Sequence, residues 1–311
     1  RDKEIDLVIG IGGGSVTDAG KAISAMIPHQ DSIINYLEGV GTKKTNGQKI
    51  PYIAIPTTSG TGSEATKNAV ISRIGEDGFK KSLRHENYIP NIAIIDPELM
   101  ISCPASITGA CGMDAFTQLL EAYVSTKANP MTDALAYSGM KHMKDALIPA
   151  STNNADDIGI RSKMAYGSLM SGIVLANAGL GIVHGLASPI GGFFDIPHGT
   201  VCGTLLAEAT RMNINKLKEK GIEGRISLKK HAKIGALLMG EESMKEGKMY
   251  EYLDHLITTL EHWTTSLKIE KLGKYRIKKD DFERIIYKTS LKNNPIHLSK
   301  EDIYQILKNR L

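Results

Sequence analysis

Aromatic side chains are scarce, at 5% of the 311 residues, and only one tryptophan is present. Base-stacking platforms of the kind that grip single-stranded nucleic acid therefore have little to be built from. Charge of one sign is also lacking: 38 Lys and Arg stand against 34 Asp and Glu, a net charge of +4 with the basic residues dispersed. The most basic stretch (Lys268, Lys271, Lys274, Arg276, Lys278, Lys279) reads as a solvated surface. Cysteine is limited to Cys103, Cys111 and Cys202, an odd number without zinc-motif spacing. They read as reduced thiols of a cytoplasmic protein. No apolar run approaches the roughly 18 residues of a membrane span, and no signal peptide opens the chain. Nucleic acid and membrane are thus not expected partners. The chain opens with Arg1-Asp2-Lys3-Glu4 directly before a strand. No earlier element is there to pair with that strand, so the natural beginning is expected to lie upstream.

What is present is globular composition, 41% hydrophobic and 23% charged. Apolar runs at residues 7–11, 52–55 and 91–95 read as buried strands, and residues 17–26 between the first two have helical spacing. Such an alternation predicts a parallel sheet covered on both faces. After Pro97 the texture is helical, over residues 107–124, 131–147, 158–178, 184–194, 199–212, 250–267 and 280–289. Ser299 to Asp302 resembles a capping box opening a last helix. The expected architecture is α/β plus all-α: a Rossmann-like, apparently incomplete dinucleotide-binding domain over 1–101, then a helical metal- and substrate-binding domain over 102–311.

Gly12-Gly13-Gly14-Ser15 follows a strand and precedes a helix. Without Cβ atoms the backbone can turn sharply and approach an anion, and the helix N-terminus offers unpaired N–H groups to a phosphate. The pattern is neither G-x-G-x-x-G nor a P-loop. A plain tight connection would not need three consecutive glycines, so phosphate binding is the favoured reading, with Ser15 and Asp18 able to cap the helix or bind the ligand. A second loop, Pro56-Thr57-Thr58-Ser59-Gly60-Thr61-Gly62-Ser63-Glu64, leaves the carboxyl end of the next strand, the edge where open α/β sheets bind ligands.

Of nine histidines, His29, His85, His142, His231, His255, His262 and His297 lie in polar or charged neighbourhoods. His184 and His198 are instead flanked by apolar and small residues, so both are expected to be buried and to need a partner. Asp114 lies on an otherwise apolar helix, with Gln118 one turn later on the same face. Asp, Gln and two His form a donor set able to hold a divalent ion, or alternatively a structural hydrogen-bond network.

Taken together, Gly12-Gly13-Gly14-Ser15 with Asp18 and Lys21, Pro56-Thr57-Thr58 with Gly60, Thr61 and Glu64, Asp96-Pro97-Glu98-Leu99, Gly112-Met113-Asp114-Ala115, and the span from His184 to His198 resemble the iron-containing (group III) alcohol dehydrogenases. That family shares its fold with glycerol dehydrogenase and dehydroquinate synthase. The resemblance implies a metal-dependent, NAD- or NADP-linked alcohol dehydrogenase or aldehyde reductase. Gly13, Gly14, Ser15 and Asp18 would hold the cofactor pyrophosphate, and Thr57, Thr58, Thr61 and Thr66 would line the nicotinamide side. Lys80 would contact the ribose. Asp114, His184 and His198 would be ligands to iron or zinc, with Gln118 standing where the family usually has a fourth ligand, His. Ser188 stands where the family often has a second His near the nicotinamide. Substrates would be small alcohols or aldehydes, and a homodimer is consistent with the resemblance. The rival readings are a polyol dehydrogenase on the same fold and a degenerate, metal-free dinucleotide-binding protein without catalysis.

Overall fold

In the computed structural model, residues 3–311 are described; Arg1 and Asp2 of the opening segment lie outside the described residues. Strand β1 (Val8–Gly12) leads into helix α1 (Gly14–Met26), and β2 (Tyr52–Pro56) pairs parallel to β1, with Gly12 opposite Pro56. A short strand β5 (Ile92–Ala93) completes a parallel sheet of order β1-β2-β5. Helix α1 covers one face. There Tyr52 is wholly buried and its hydroxyl donates to the Thr17 carbonyl at 3.0 Å. The room for its ring comes from missing side chains: a Cβ on Gly20 would stand 2.6 Å from that hydroxyl. The expectation of a sheet covered on both faces does not hold for the described residues. Ile9, Ile11 and Ile92 alternate onto the opposite face and are each more than half exposed.

Between β2 and β5 the structure contains a hairpin that the apolar runs do not reveal. Strands β3 (Asn68–Arg73) and β4 (Phe79–Arg84) pair antiparallel, Ala69 opposite Leu83. Its inward residues, Ala69 and Leu83, pack with Ala22, Ala25, Leu37 and Tyr88 under α1. Because one face is polar, the run never becomes continuously hydrophobic. Asp77-Gly78, flanked by alternating residues, was the available turn signal.

Beyond Ala93 the described chain contains helices only: α2 (Ala105–Val124), α3 (Pro130–Met143), α4 (Leu147–Ala150), α5 (Ile158–Ala178), α6 (Ile182–Phe193), α7 (His198–Glu219), α8 (Arg225–Leu238), α9 (Met249–Ser266), α10 (Phe282–Lys288) and α11 (Lys300–Asn309). Asn129 caps α3 with Pro130 in its first turn, and Ser299 and Asp302 exchange the two hydrogen bonds of a capping box at α11. The expected helix over 131–147 ends at Met143. The chain then turns into α4, where Pro149 has no N–H to offer. Helix α8 was not anticipated, since its apolar positions are interleaved with Lys229, Lys230 and Lys233. The large core lies in this helical part, around α2 with Met113, Phe116, Leu119 and Leu120. No single described helix is long and apolar enough to cross a membrane.

Two histidines expected in polar surroundings are buried. His29 and His231 each turn Nδ1 to the carbonyl four residues earlier, Ala25 at 3.0 Å and Ser227 at 2.8 Å. Burial pushes His231 down to about 4 from its ordinary 6.5. Between those pH values the unfolded chain binds a proton that the folded one refuses, so stability rises with pH across the window and is lost as pH falls from about 6.5 towards 4. The contribution is of the order of 3 kcal/mol. Urea unfolding at pH 7.5 and pH 5 should show His231→Leu losing less stability on acidification than the parent; equal losses would place the sensitivity elsewhere.

Candidate active site

The two loops at the carboxyl edge of the sheet lie against each other. Thr57 N–H donates to the Gly12 carbonyl at 2.9 Å. A Cβ on Gly13 would touch Thr58 at 3.3 Å, and one on Gly14 would stand 2.4 Å from the Thr61 methyl. The absent side chains are therefore what lets the threonine loop sit on the start of α1, where the first N–H groups have no partner within the helix. Gly62 has φ +60°, and a Cβ there would stand 2.4 Å from the backbone nitrogen of Gly172 on α5. This contact fixes the threonine loop to the helical part.

Beneath the loops, Lys21 is 2% exposed. Its Nζ donates to the Ser63 carbonyl (2.7 Å), Ser63 Oγ (2.9 Å), Thr66 Oγ1 (3.0 Å) and the Asn68 carbonyl (2.8 Å). Burial pushes this lysine down to about 8, against the opposing pull of Asp18. The Asp18 carboxylate accepts from Ser63 Oγ at 2.5 Å and lies 3.8 Å from Lys21. Thr66 and Asp18 are thus engaged in a buried knot that holds the loop to α1. Ser15 makes no side-chain cap on α1, whose N-cap is Gly13. Lys80 lies on β4 rather than in a connection. Its backbone carbonyl accepts from Ser188 Oγ of α6 at 3.0 Å. Burial lowers its pKa, against the opposing pull of Cys202, Asp114 and Asp18.

That pocket is assembled from three helices. On α2, Asp114, Gln118 and Glu121 recur at i, i+4 and i+7, which places them along one face. All three are buried, at 2%, 3% and 6% exposure. Helix α6 delivers His184 from its first turn, and α7 delivers His198 and, one turn on, Cys202. His184 Nε2 is 3.2 Å from Asp114 Oδ1, and His198 Nε2 is 3.7 Å from the same oxygen. Cys202 Sγ is 3.7 Å from His184 Nε2 and 3.8 Å from His198 Nε2. One donor atom from each of these four residues lies within 4.8 Å of all the others. Gly199 permits the approach of α7: a Cβ there would meet the Ala110 carbonyl oxygen of α2 at 2.3 Å.

Electrostatics shape the pocket further. Burial opposes ionisation of Asp114, but His198 and His184 hold its carboxyl down at about 2. Burial, with Lys80 next, pushes His198 down to about 3, leaving a neutral imidazole. Burial likewise pushes the Cys202 thiol up to about 12.

Two residues that the sequence reading passed over take part. Glu121 accepts from His184 Nδ1 at 2.7 Å and from the Val183 N–H at 2.6 Å. One carboxylate therefore caps α6 and fixes the imidazole so that Nε2 faces the pocket. Its position one turn past Gln118 was the available signal. Cys202 was the second, readable as the residue one turn after His198. Gln118 itself directs Oε1 to the Ser171 hydroxyl on α5, at 2.6 Å.

A glycine turn and threonine loop on a parallel sheet thus accompany a helical pocket of Asp, His and Cys donors, the class of arrangement the family comparison identifies. The chain belongs to the iron-containing alcohol dehydrogenase family: the model of that family matches residues 1–97 and the model of its C-terminal part matches residues 108–311. Long-chain-alcohol dehydrogenase 1 of Geobacillus thermodenitrificans is 41% identical over 206 residues, which is 66% of this chain and 51% of that protein. The matched stretch thus spans about half the length of that relative. The NAD-dependent methanol dehydrogenase of Bacillus methanolicus is 32% identical over 317 residues, covering 100% of this chain and 78% of that protein. Among solved structures, a 1,3-propanediol oxidoreductase superposes with a TM-score of 0.86 at 30% identity, over 100% of this chain and 78% of that one.

Proposed function

We propose that this chain carries out NAD(P)-linked interconversion of small alcohols and their aldehydes, with a divalent metal ion in the pocket formed by α2, α6 and α7. The observation that carries the reading is the convergence of Asp114, His184 and His198 on one small volume. When bound, the ion supplies Lewis acidity towards the substrate oxygen and the nicotinamide supplies the hydride acceptor or donor.

The donor chemistry fits an ion. The Asp114 carboxylate is held ionised, with Nε2 of His184 at 3.2 Å and Nε2 of His198 at 3.7 Å from one of its oxygens. Glu121 sets the His184 ring, as carboxylates behind metal-ligating histidines commonly do. For the cofactor, the backbone N–H groups of the glycine turn at the start of α1 are the candidate pyrophosphate donors. Thr57, Thr58 and Thr61 form the adjoining wall, and Lys80 of β4 is the candidate for the ribose. Asp18 and Thr66 serve through the Lys21 knot, which keeps the wall in place. With Ser188 directed at the Lys80 carbonyl, no imidazole stands at that position to pass on a proton.

The decisive test is NAD(P)H-dependent reduction of short aldehydes by the purified protein. Activity should vanish on treatment with a chelator and return when iron(II) or zinc is added back. Cofactor binding with no aldehyde reduction under any metal would favour the non-catalytic reading instead.

A further inference from the structure

The pocket contains a sulfur donor. Four of the distances among the candidate donor atoms are 3.2 Å (His184 Nε2 to Asp114 Oδ1), 3.7 Å (His198 Nε2 to Asp114 Oδ1), 3.7 Å (Cys202 Sγ to His184 Nε2) and 3.8 Å (Cys202 Sγ to His198 Nε2). A tetrahedral ion with metal–nitrogen and metal–oxygen bonds of about 2.0–2.1 Å and a metal–sulfur bond of about 2.3 Å requires edges of about 3.3–3.4 Å for N···O and about 3.6 Å for S···N. The observed edges sit within a few tenths of an ångström of these. Cys202 is wholly buried and lies one helical turn after His198, so α7 presents both donors from one face. The amide oxygen of Gln118 already accepts from Ser171.

We propose that Cys202, as a thiolate, is the fourth protein ligand of the metal, giving an Asp114–His184–His198–Cys202 shell that selects zinc over iron(II) and admits the substrate oxygen by expanding to five-coordinate. The proposal rests on the metal-pocket reading above and specifies who completes the shell. Binding exchanges the thiol proton for the metal–sulfur bond, the proton leaving to solvent, as metal binding to cysteine requires. Thiolate is a soft donor, and zinc stands above iron(II) in affinity for mixed nitrogen and sulfur sites. A neutral amide oxygen offers neither advantage.

X-ray absorption at the zinc edge of the zinc-loaded full chain reads the shell without any substitution. The expected result is one sulfur at about 2.3 Å with nitrogen and oxygen making up the rest. Loading with cobalt(II) should produce a thiolate-to-cobalt charge-transfer band in the near ultraviolet. That band should disappear in Cys202→Ser and persist in Gln118→Ala and Cys111→Ser. Zinc affinity, measured by competition with a chromogenic chelator, should fall at least about 100-fold in Cys202→Ser, since even residues that only orient ligands are worth 10–100-fold. A zinc shell of nitrogen and oxygen alone, or a cobalt band that survives Cys202→Ser, overturns the proposal while leaving the metal-pocket reading intact. A chain that takes up neither zinc, iron nor cobalt overturns both. If Cys202→Ser fails to fold, the absorption spectrum of the parent protein still decides.

Discussion

Asp114→Asn and His184→Ala are each expected to lower kcat for aldehyde reduction by at least about 10³-fold, because Lewis-acid stabilisation is worth several kcal/mol and each 1.36 kcal/mol is a factor of ten. Asn keeps the shape of Asp114 but removes the charge that both imidazoles face at 3.2 and 3.7 Å. Ala removes the ring that Glu121 holds in place. Metal content of the purified variants should fall with activity. Binding of NAD(P)H, followed by fluorescence, should be unchanged, because the glycine turn and threonine loop make none of these contacts. Glu121→Gln should cost less, about 10–100-fold, since it orients a ligand rather than being one. Retention of more than a tenth of parental kcat by Asp114→Asn would remove the pocket from the chemistry.

The second large effect is on stability. Arg161 is the largest fully buried side chain, 2% exposed, and its hydrogen-bond partners are neutral oxygens. From α5 it donates to the Ala155 carbonyl (2.6 Å), Thr108 Oγ1 (3.0 Å), the Ile101 carbonyl (3.2 Å) and the Cys103 carbonyl (3.4 Å). Ile101 and Cys103 lie on the segment that leads from the sheet-bearing part into α2, Thr108 lies in the first turn of α2, and Ala155 lies just before α5. One guanidinium therefore ties that junction to the helical core. Arg161→Met fills similar space but removes the buried charged donor of all four bonds, at a cost of about 3–5 kcal/mol. Thermal unfolding should show a Tm lowered by roughly 5–10 °C. Arg161→Lys should recover only part of this, because an ammonium cannot span the same fork of acceptors. A shift of less than 2 °C in Arg161→Met would mean that water satisfies the stranded carbonyls.

How much of this was readable depended on the range of the interaction. The continuous run at 52–55 and the strand-to-helix turn at the glycines were legible because strand burial and tight-turn geometry act between near neighbours. The hairpin of β3 and β4 escaped, since half its residues face solvent and its pairing with α1 and α6 is invisible to periodicity. His231 was misplaced for a related reason: Lys229, Lys230 and Lys233 surround it along the chain, while the helix turns it away from all three and into the core.

The same distinction runs through the pocket. Local chemistry alone singled out Asp114 as a carboxylate on an apolar helix, and His184 and His198 as imidazoles among small residues. Family and fold class followed from those residues and the two loops in order. Only the tertiary structure decided that Cys202, an unremarkable thiol in the chain, stands 3.7 and 3.8 Å from two histidines, while Gln118 turns to Ser171. Only it supplied Glu121 as the support of His184 and Lys21 as the anchor of the threonine loop. Residue type decides whether a group can bind a metal or a phosphate. The packing of α2, α6 and α7 decides which of those groups come within bonding distance of one point, and that depends on contacts between residues as far apart as Asp114 and Cys202.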